Sequence, residues 1–265
     1  MRGLATWFHL RFRAGLQYRA AAWASVVTGI VFGIARCMVL VGFYSASDHQ
    51  APMTLGQAIA YVWMGQILFR LMPFGDSELA NEIRTGTVVY SLLKPQAILF
   101  QYYVRGLSTR FAMLVLRVLP YIPLVYILPR SIRMPLPASL EGTIWWVLSL
   151  GGALLLASSI NCVMNFTSFW TIRNYGLIFL IGVLSVFFGG LIVPLPLLTE
   201  GAQAWIYLNP FAGLSDLPSR LYMGLIPASQ GYKVILCQLG WTGACLGLAQ
   251  IISKRGLKRL VAQGG

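Results

Sequence analysis

Acidic residues are what this sequence has least of: seven Asp and Glu stand against twenty Lys and Arg. Charged residues of both signs make up only 10% of the chain, whereas soluble domains carry about 25%. Histidine is nearly absent, and His9 and His49 lie in different segments, so neither a zinc cluster nor a histidine-based catalytic site is expected. The four cysteines, Cys37, Cys162, Cys237 and Cys245, all fall inside apolar runs without metal-site spacing. They read as small buried hydrophobes. No G-x-x-x-x-G-K-[ST] loop occurs, so the chain does not bind ATP by that route. The expectation is a protein with no catalytic residues, no metal and no cofactor of its own.

What is present is hydrocarbon. Hydrophobic residues reach 57% and mean hydropathy is +0.71, which places the chain among polytopic membrane proteins. A net charge of +13 would point to nucleic acid in a soluble protein. Here Lys and Arg crowd the ends of apolar runs, as positive-inside spans require, and no nucleic-acid partner is expected.

Residues 1–19 are too interrupted by Arg11, Arg13 and Arg19 to form a signal peptide core. Leu4, Trp7, Phe8, Phe12 and Leu16 recur at helical steps, predicting an amphipathic helix in the membrane interface; the other reading is a flexible basic tail. Residues 20–265 then read as one transmembrane domain of six spans. These are placed near 20–43, 55–74, 106–128, 143–170, 176–198 and 234–252, the third starting late because Arg105 and Arg110 interrupt its block. Proline steps break 199–233 into short pieces, read as external re-entrant helices half-dipping into the outer leaflet. Trp145, Trp146, Trp205 and Tyr207 read as an interfacial aromatic belt. Most basic residues outside the spans fall on the N-terminal side, whereas Arg130, Arg133, Arg220 and Lys233 fall on the other. Both termini are therefore expected in the cytoplasm.

The longest polar insert between apolar blocks is 76–95, DSELANEIRTGTVVYSLLKP, which holds Asp76, Glu78 and Glu82. Charges of this kind are costly in hydrocarbon, so the insert belongs at the cytoplasmic surface. Glu78 and Glu82 share a helix face, Gly86 suits a left-handed cap, and Pro95 biases Lys94 out of helix. Val88, Val89, Leu92 and Leu93 then form an apolar patch that needs a partner. The alternative is a surface loop packed on its own chain.

The amphipathic start, six spans and cytoplasmic E-x-x-x-G insert resemble ABC-2 type transporter permeases. More narrowly, Glu82-Ile83-Arg84-Thr85-Gly86 followed by Leu92-Leu93-Lys94-Pro95 resembles the E-I-R-x-G…L-L-x-P stretch of one bacterial subfamily. Asn209-Pro210-Phe211 and the basic run Arg255 to Arg259 match it too, although Leu260-Val261 stands where that family carries an aromatic residue. The resemblance implies an all-α, type V exporter-like subunit in the bacterial inner membrane. It implies pairing with a second permease, identical or related, and two ABC ATPase subunits that carry ATP and Mg. It also implies that 76–95 is a coupling helix docked in an ATPase groove, its contacts drawn from Glu78, Glu82, Arg84, Gly86, Val89, Leu92, Leu93, Lys94 and Pro95. A membrane assembly factor or sensor that docks a cytoplasmic partner on the same insert is the alternative.

Arg117 falls near the middle of the third span with no acidic residue deep in any span to meet it. Such a residue is either hydrogen-bonded between helices or part of a substrate pathway. Asn161 and Asn165, one turn apart, are candidates to satisfy it. The same shortage of carboxylates argues against a proton- or sodium-driven carrier.

Overall fold

The computed structural model describes residues 2–46, 52–74, 78–171, 174–198, 201 and 208–259. Among these every regular element is helical. In chain order they are α1 (Arg2–Gly15), α2 (Arg19–Ala46), α3 (Leu55–Leu68), α4 (Glu78–Arg84), α5 (Val88–Leu92), α6 (Ile98–Ile127), α7 (Leu140–Phe166), α8 (Tyr175–Phe188), α9 (Asp216–Met223) and α10 (Gly231–Leu257).

Six full-length spans were expected, and among the described residues four stretches are long and apolar enough to cross a membrane: Arg19–Ala46, Ile98–Ile127, Leu140–Phe169 and Ala228–Leu257. The expected second and fifth spans are α3 and α8, each of 14 residues, or about 21 Å of helix against a hydrocarbon core of about 30 Å. α3 starts on a capping box between Thr54 and Gln57. It tightens into a 3-10 turn at Phe69–Leu71 just before Pro73, which biases the preceding residue out of helix. α8 stops at Gly189-Gly190, where Gly190 takes φ +79°. A side chain there would collide with the Tyr61 hydroxyl, only 2.0 Å from an added Cβ. The chain then runs to Leu198 with one short 3-10 turn at Leu195–Leu197, and Leu191, Leu195 and Pro196 are buried. Non-helical backbone at membrane depth is tolerated only when buried in protein or lining a cavity.

The third span was placed near 106–128, and the helix that carries it, α6, begins earlier. It runs unbroken from Ile98, because Arg105 and Arg110 are buried and have partners: carboxylates for Arg105, and for Arg110 the Met72 carbonyl among others.

α7 is the central helix. Its small residues let neighbours approach closely, the usual means of helix packing in lipid. α10 packs along its length, and α6 and α9 cover other sides. At Gly152 an added Cβ would lie 2.1 Å from the Gln238 amide. That buried amide donates to the Ser149 carbonyl at 3.0 Å and the Gly213 carbonyl at 2.8 Å. Between α2, α3 and α6, the indole of Trp63 sits over Gly33, meets Tyr121 edge-on and donates to the Ile132 carbonyl at 2.7 Å.

The segment 199–233, read as external re-entrant helices, is described in part. Residues 199–200 and 202–207, with Trp205 and Tyr207, lie outside the described residues. From Ala212 to Met223 every residue is buried, and α9 packs against α3 and α7. Residues 212–223 thus pack into the protein interior. Trp146 turns inward with them, edge-on to Tyr222 at 5.3 Å, and Trp145 packs over Gly231. α1 also leans on protein: Phe12 stacks on Phe111 of α6 and Phe8 packs against it at a tilt, and Gly15 abuts Ala112.

Candidate functional site

Of the 76–95 insert, residues 78–95 are described, and Asp76 lies outside them. The insert folds as α4, a left-handed turn at Gly86 with φ +73°, and the short α5. The turn is the cap that the glycine's position predicts. Its amide donates to the Ile83 carbonyl at 3.2 Å. Arg84, at the end of α4, donates to Asn81 at 2.9 Å.

Beneath this turn lies a charged hub. Arg105 of α6, only 3% exposed, donates to Glu82 at 2.7 Å and reaches Glu78 at 3.4 Å. Arg11 of α1 donates to Glu78 at 2.6 Å. The Tyr102 hydroxyl and Ser91 Oγ both donate to Glu82, at 2.6 and 2.9 Å. Trp7 of α1 closes the hub: Lys94 sits 4.0 Å and the Arg105 guanidinium 4.5 Å from its ring centroid, close enough for cation–π attraction. The Gln101 side-chain amide ties the far end of the insert through the Ser91 and Gln96 carbonyls. Burial acts to raise the Glu82 carboxyl, but the bonds from Tyr102 and Ser91 and the Arg105 charge together hold it below the ordinary carboxylate value. Burial and the Arg105 charge lower the Lys94 ammonium, which neighbouring Glu82 and Glu78 partly offset.

Glu78 and Glu82 therefore point into their own chain. The insert's outer face is apolar: Val89, Tyr90, Leu92 and Leu93 are all exposed, Leu93 at 77%. Pro95 is exposed beside them, while Val88 is buried beneath. Composition signalled the patch but not the hub. Arg11, Tyr102 and Arg105 come from two other helices, and their one sequence signal was the scarcity of acids, which leaves few carboxylates for the buried cations.

Asn161 and Asn165 do not reach Arg117. Asn165 donates to the Asn161 carbonyl at 3.1 Å and to its side chain, and its own oxygen accepts from the Leu79 amide at 3.3 Å. Both asparagines line a cavity of about 460 Å³ beside the hub, with Arg11, Glu78 and Thr109. Arg117 instead donates to the Ser25 hydroxyl and to the Ser25 carbonyl, because Gly29 leaves room for the guanidinium against α2.

A second buried ion pair escaped sequence reasoning. Asp216, fully buried, accepts from Arg220 Nε at 2.7 Å and from the Tyr61 hydroxyl at 2.6 Å. The i,i+4 spacing was visible, but nothing in the sequence placed it against α3.

Long apolar helices around a central α7, with a clamped polar insert between the second and third apolar blocks, define a multi-pass helical membrane protein. Over residues 30–264 the chain matches the family described as ABC-2 family transporter protein, and it belongs to that family as a permease of the ABC-2 type. No curated protein matches it.

Proposed function

We propose that this permease is the membrane subunit of an ATP-driven exporter in the bacterial inner membrane, with both termini cytoplasmic. It pairs with a second permease, identical or related, and is driven by two ABC ATPase subunits that carry ATP and Mg. The chain itself performs no catalysis. Residues 76–95 are the coupling element. The observation that carries this reading is the division of labour within the insert. Its inner side is fixed to α1 and α6 by Glu78, Glu82, Arg11 and Arg105, while Val89, Tyr90, Leu92 and Leu93 are exposed on its outer side. A partner gripping that face moves α6 directly through the hub. The charge bias, with Arg130, Arg133, Arg220 and Lys233 alone assigned to the far side, supports placing this face in the cytoplasm.

Interface energy concentrates in a few apolar anchors, so Leu93→Asp is expected to lower affinity for the cognate ATPase about tenfold or more while leaving the melting temperature of the isolated permease unchanged. Co-purification and ATP turnover in nanodiscs measure this. Full ATPase binding and full transport by a Leu92→Asp/Leu93→Asp variant would show the insert to be an ordinary surface loop.

A further inference from the structure

Three neighbouring cavities that share wall residues lie along α2, apart from the hub. The middle one, about 330 Å³, is bounded by α2, α3, α6 and the irregular stretch after α8, and it is lined by Arg36, Arg70 and Arg117 with Ser25, Thr28 and Gln66. A second, also about 330 Å³, shares Arg36 and Leu191 with it and continues over Val39, Leu40, Val62 and Ile192. A smaller pocket of about 90 Å³ shares Ser25, Arg70 and Arg117 and reaches Tyr18 near the end of α1.

Three guanidinium groups thus face common space, and no carboxylate lines any of the three cavities. Among the described residues none of these arginines makes an ion pair. Their bonds are to neutral groups: Arg36 donates to the Leu191 carbonyl at 2.8 Å, and Arg117 to Ser25. Arg117 is only 4% exposed, and its buried Nε has no hydrogen-bond partner. Cations at membrane depth are costly and are kept where they serve a function. Three that repel one another call for an anion, and the planar fork of arginine is the side chain best matched to phosphate and carboxylate. The adjoining cavity is lined mostly by hydrocarbon. A head and a tail are therefore both provided for, and the broken backbone after α8 opens the space between them.

We propose that these cavities bind an acidic amphiphile, its phosphate or carboxylate on Arg36, Arg70 and Arg117 and its hydrocarbon chain along Val39, Val62 and Ile192. Resting on the permease reading above, the site marks acidic amphiphiles as the class of cargo. A small free anion and an uncharged lipid each satisfy only half of it.

The test uses the full-length permease in phosphatidylcholine nanodiscs and a fluorescent lysophosphatidic acid, with a monoacylglycerol of the same chain and label as the uncharged control. The acidic probe is expected to bind about tenfold more tightly than the control, and inorganic phosphate is expected not to displace it. The Arg70→Gln/Arg117→Gln variant should abolish the preference. Arg117→Lys should keep most of it, and Arg36→Gln, changed at the exposed rim, should reduce it. Equal binding of the two probes, an unchanged preference in the double variant, or displacement by inorganic phosphate would each overturn the site. A transport arm in proteoliposomes with the cognate ATPase follows: a probe that is bound but never moved by ATP overturns the cargo assignment. The binding arm needs no ATPase, so a failure of coupling and a failure of this site are told apart.

Discussion

Glu82→Ala is expected to free the insert from the bundle rather than simply blunt a contact with a partner. The substitution removes the acceptor for three donors and leaves the buried Arg105 guanidinium with the longer, 3.4 Å contact to Glu78 as its carboxylate partner, beside a 3.2 Å bond to Ser91 Oγ. Breaking a fully buried ion pair by removing one partner costs about 3–5 kcal/mol. The Glu82 side chain is 17% exposed, so the lower half of that range is the expectation. Hydrogen exchange of the 78–92 amides should accelerate well before the rest of the chain, and the melting temperature in detergent should fall. Glu82→Ala/Arg105→Met, which removes both charges, should recover part of the loss. A Glu82→Ala protein with native exchange across the insert would show that the hub does not hold it.

The same hub carries a pH signature. The Glu82 carboxyl is held below its ordinary value in the folded chain. Its contribution is therefore complete above the unfolded value of about 4.3 and is lost as pH falls through the lower folded value. Protection of the 78–92 amides should weaken on acidification in the wild type. In Glu82→Gln that component should be absent, because the group that titrates is gone.

The sequence carried some of this and not the rest, for reasons that differ by residue. The cap at Gly86 was legible because a left-handed turn depends on one residue type and its position. The long apolar helices α2, α7 and α10 were legible because hydropathy alone sets their length. How far the helix of the third span continues back past Arg105 and Arg110 was not legible, because two cations look like a boundary when read one-dimensionally. Whether a cation ends a helix depends on what neutralises it, and Glu82 lies 23 positions away. α3 and α8 were overestimated for the converse reason: apolar residues continue past Leu68 and Phe188, but proline and glycine stop the helix and the remaining chain folds irregularly into the interior. The hub and the arginine-lined cavities are assemblies of three or more helices, and no local pattern encodes which faces meet. Even so, seven acids against twenty cations foretold that some buried arginines would find no carboxylate.

Asp216→Ala should be among the most damaging single changes in the chain. The carboxylate is completely buried and joins two elements, accepting from Arg220 one turn along α9 and from Tyr61 of α3. Removing it breaks the buried Arg220–Asp216 pair, a change that costs about 3–5 kcal/mol when one partner of a buried pair is lost, and opens a space where the carboxylate was. Tyr61 also loses its acceptor, and its hydroxyl is the group that fits against Gly190, so the wall of the cavity lined by Tyr61, Gly190 and Leu191 should loosen as well. A sharp drop in melting temperature and in the monodisperse fraction after detergent extraction is expected. Asp216→Asn, which still accepts from Tyr61 but carries no charge, should fall between wild type and Asp216→Ala. Asp216→Leu/Arg220→Met should regain stability, because a buried pair replaced by apolar groups of similar volume is often neutral or better. An Asp216→Ala protein that melts with the wild type would mean that Arg220 and Tyr61 find other partners at no cost, and that the pair does not fasten α9 to α3.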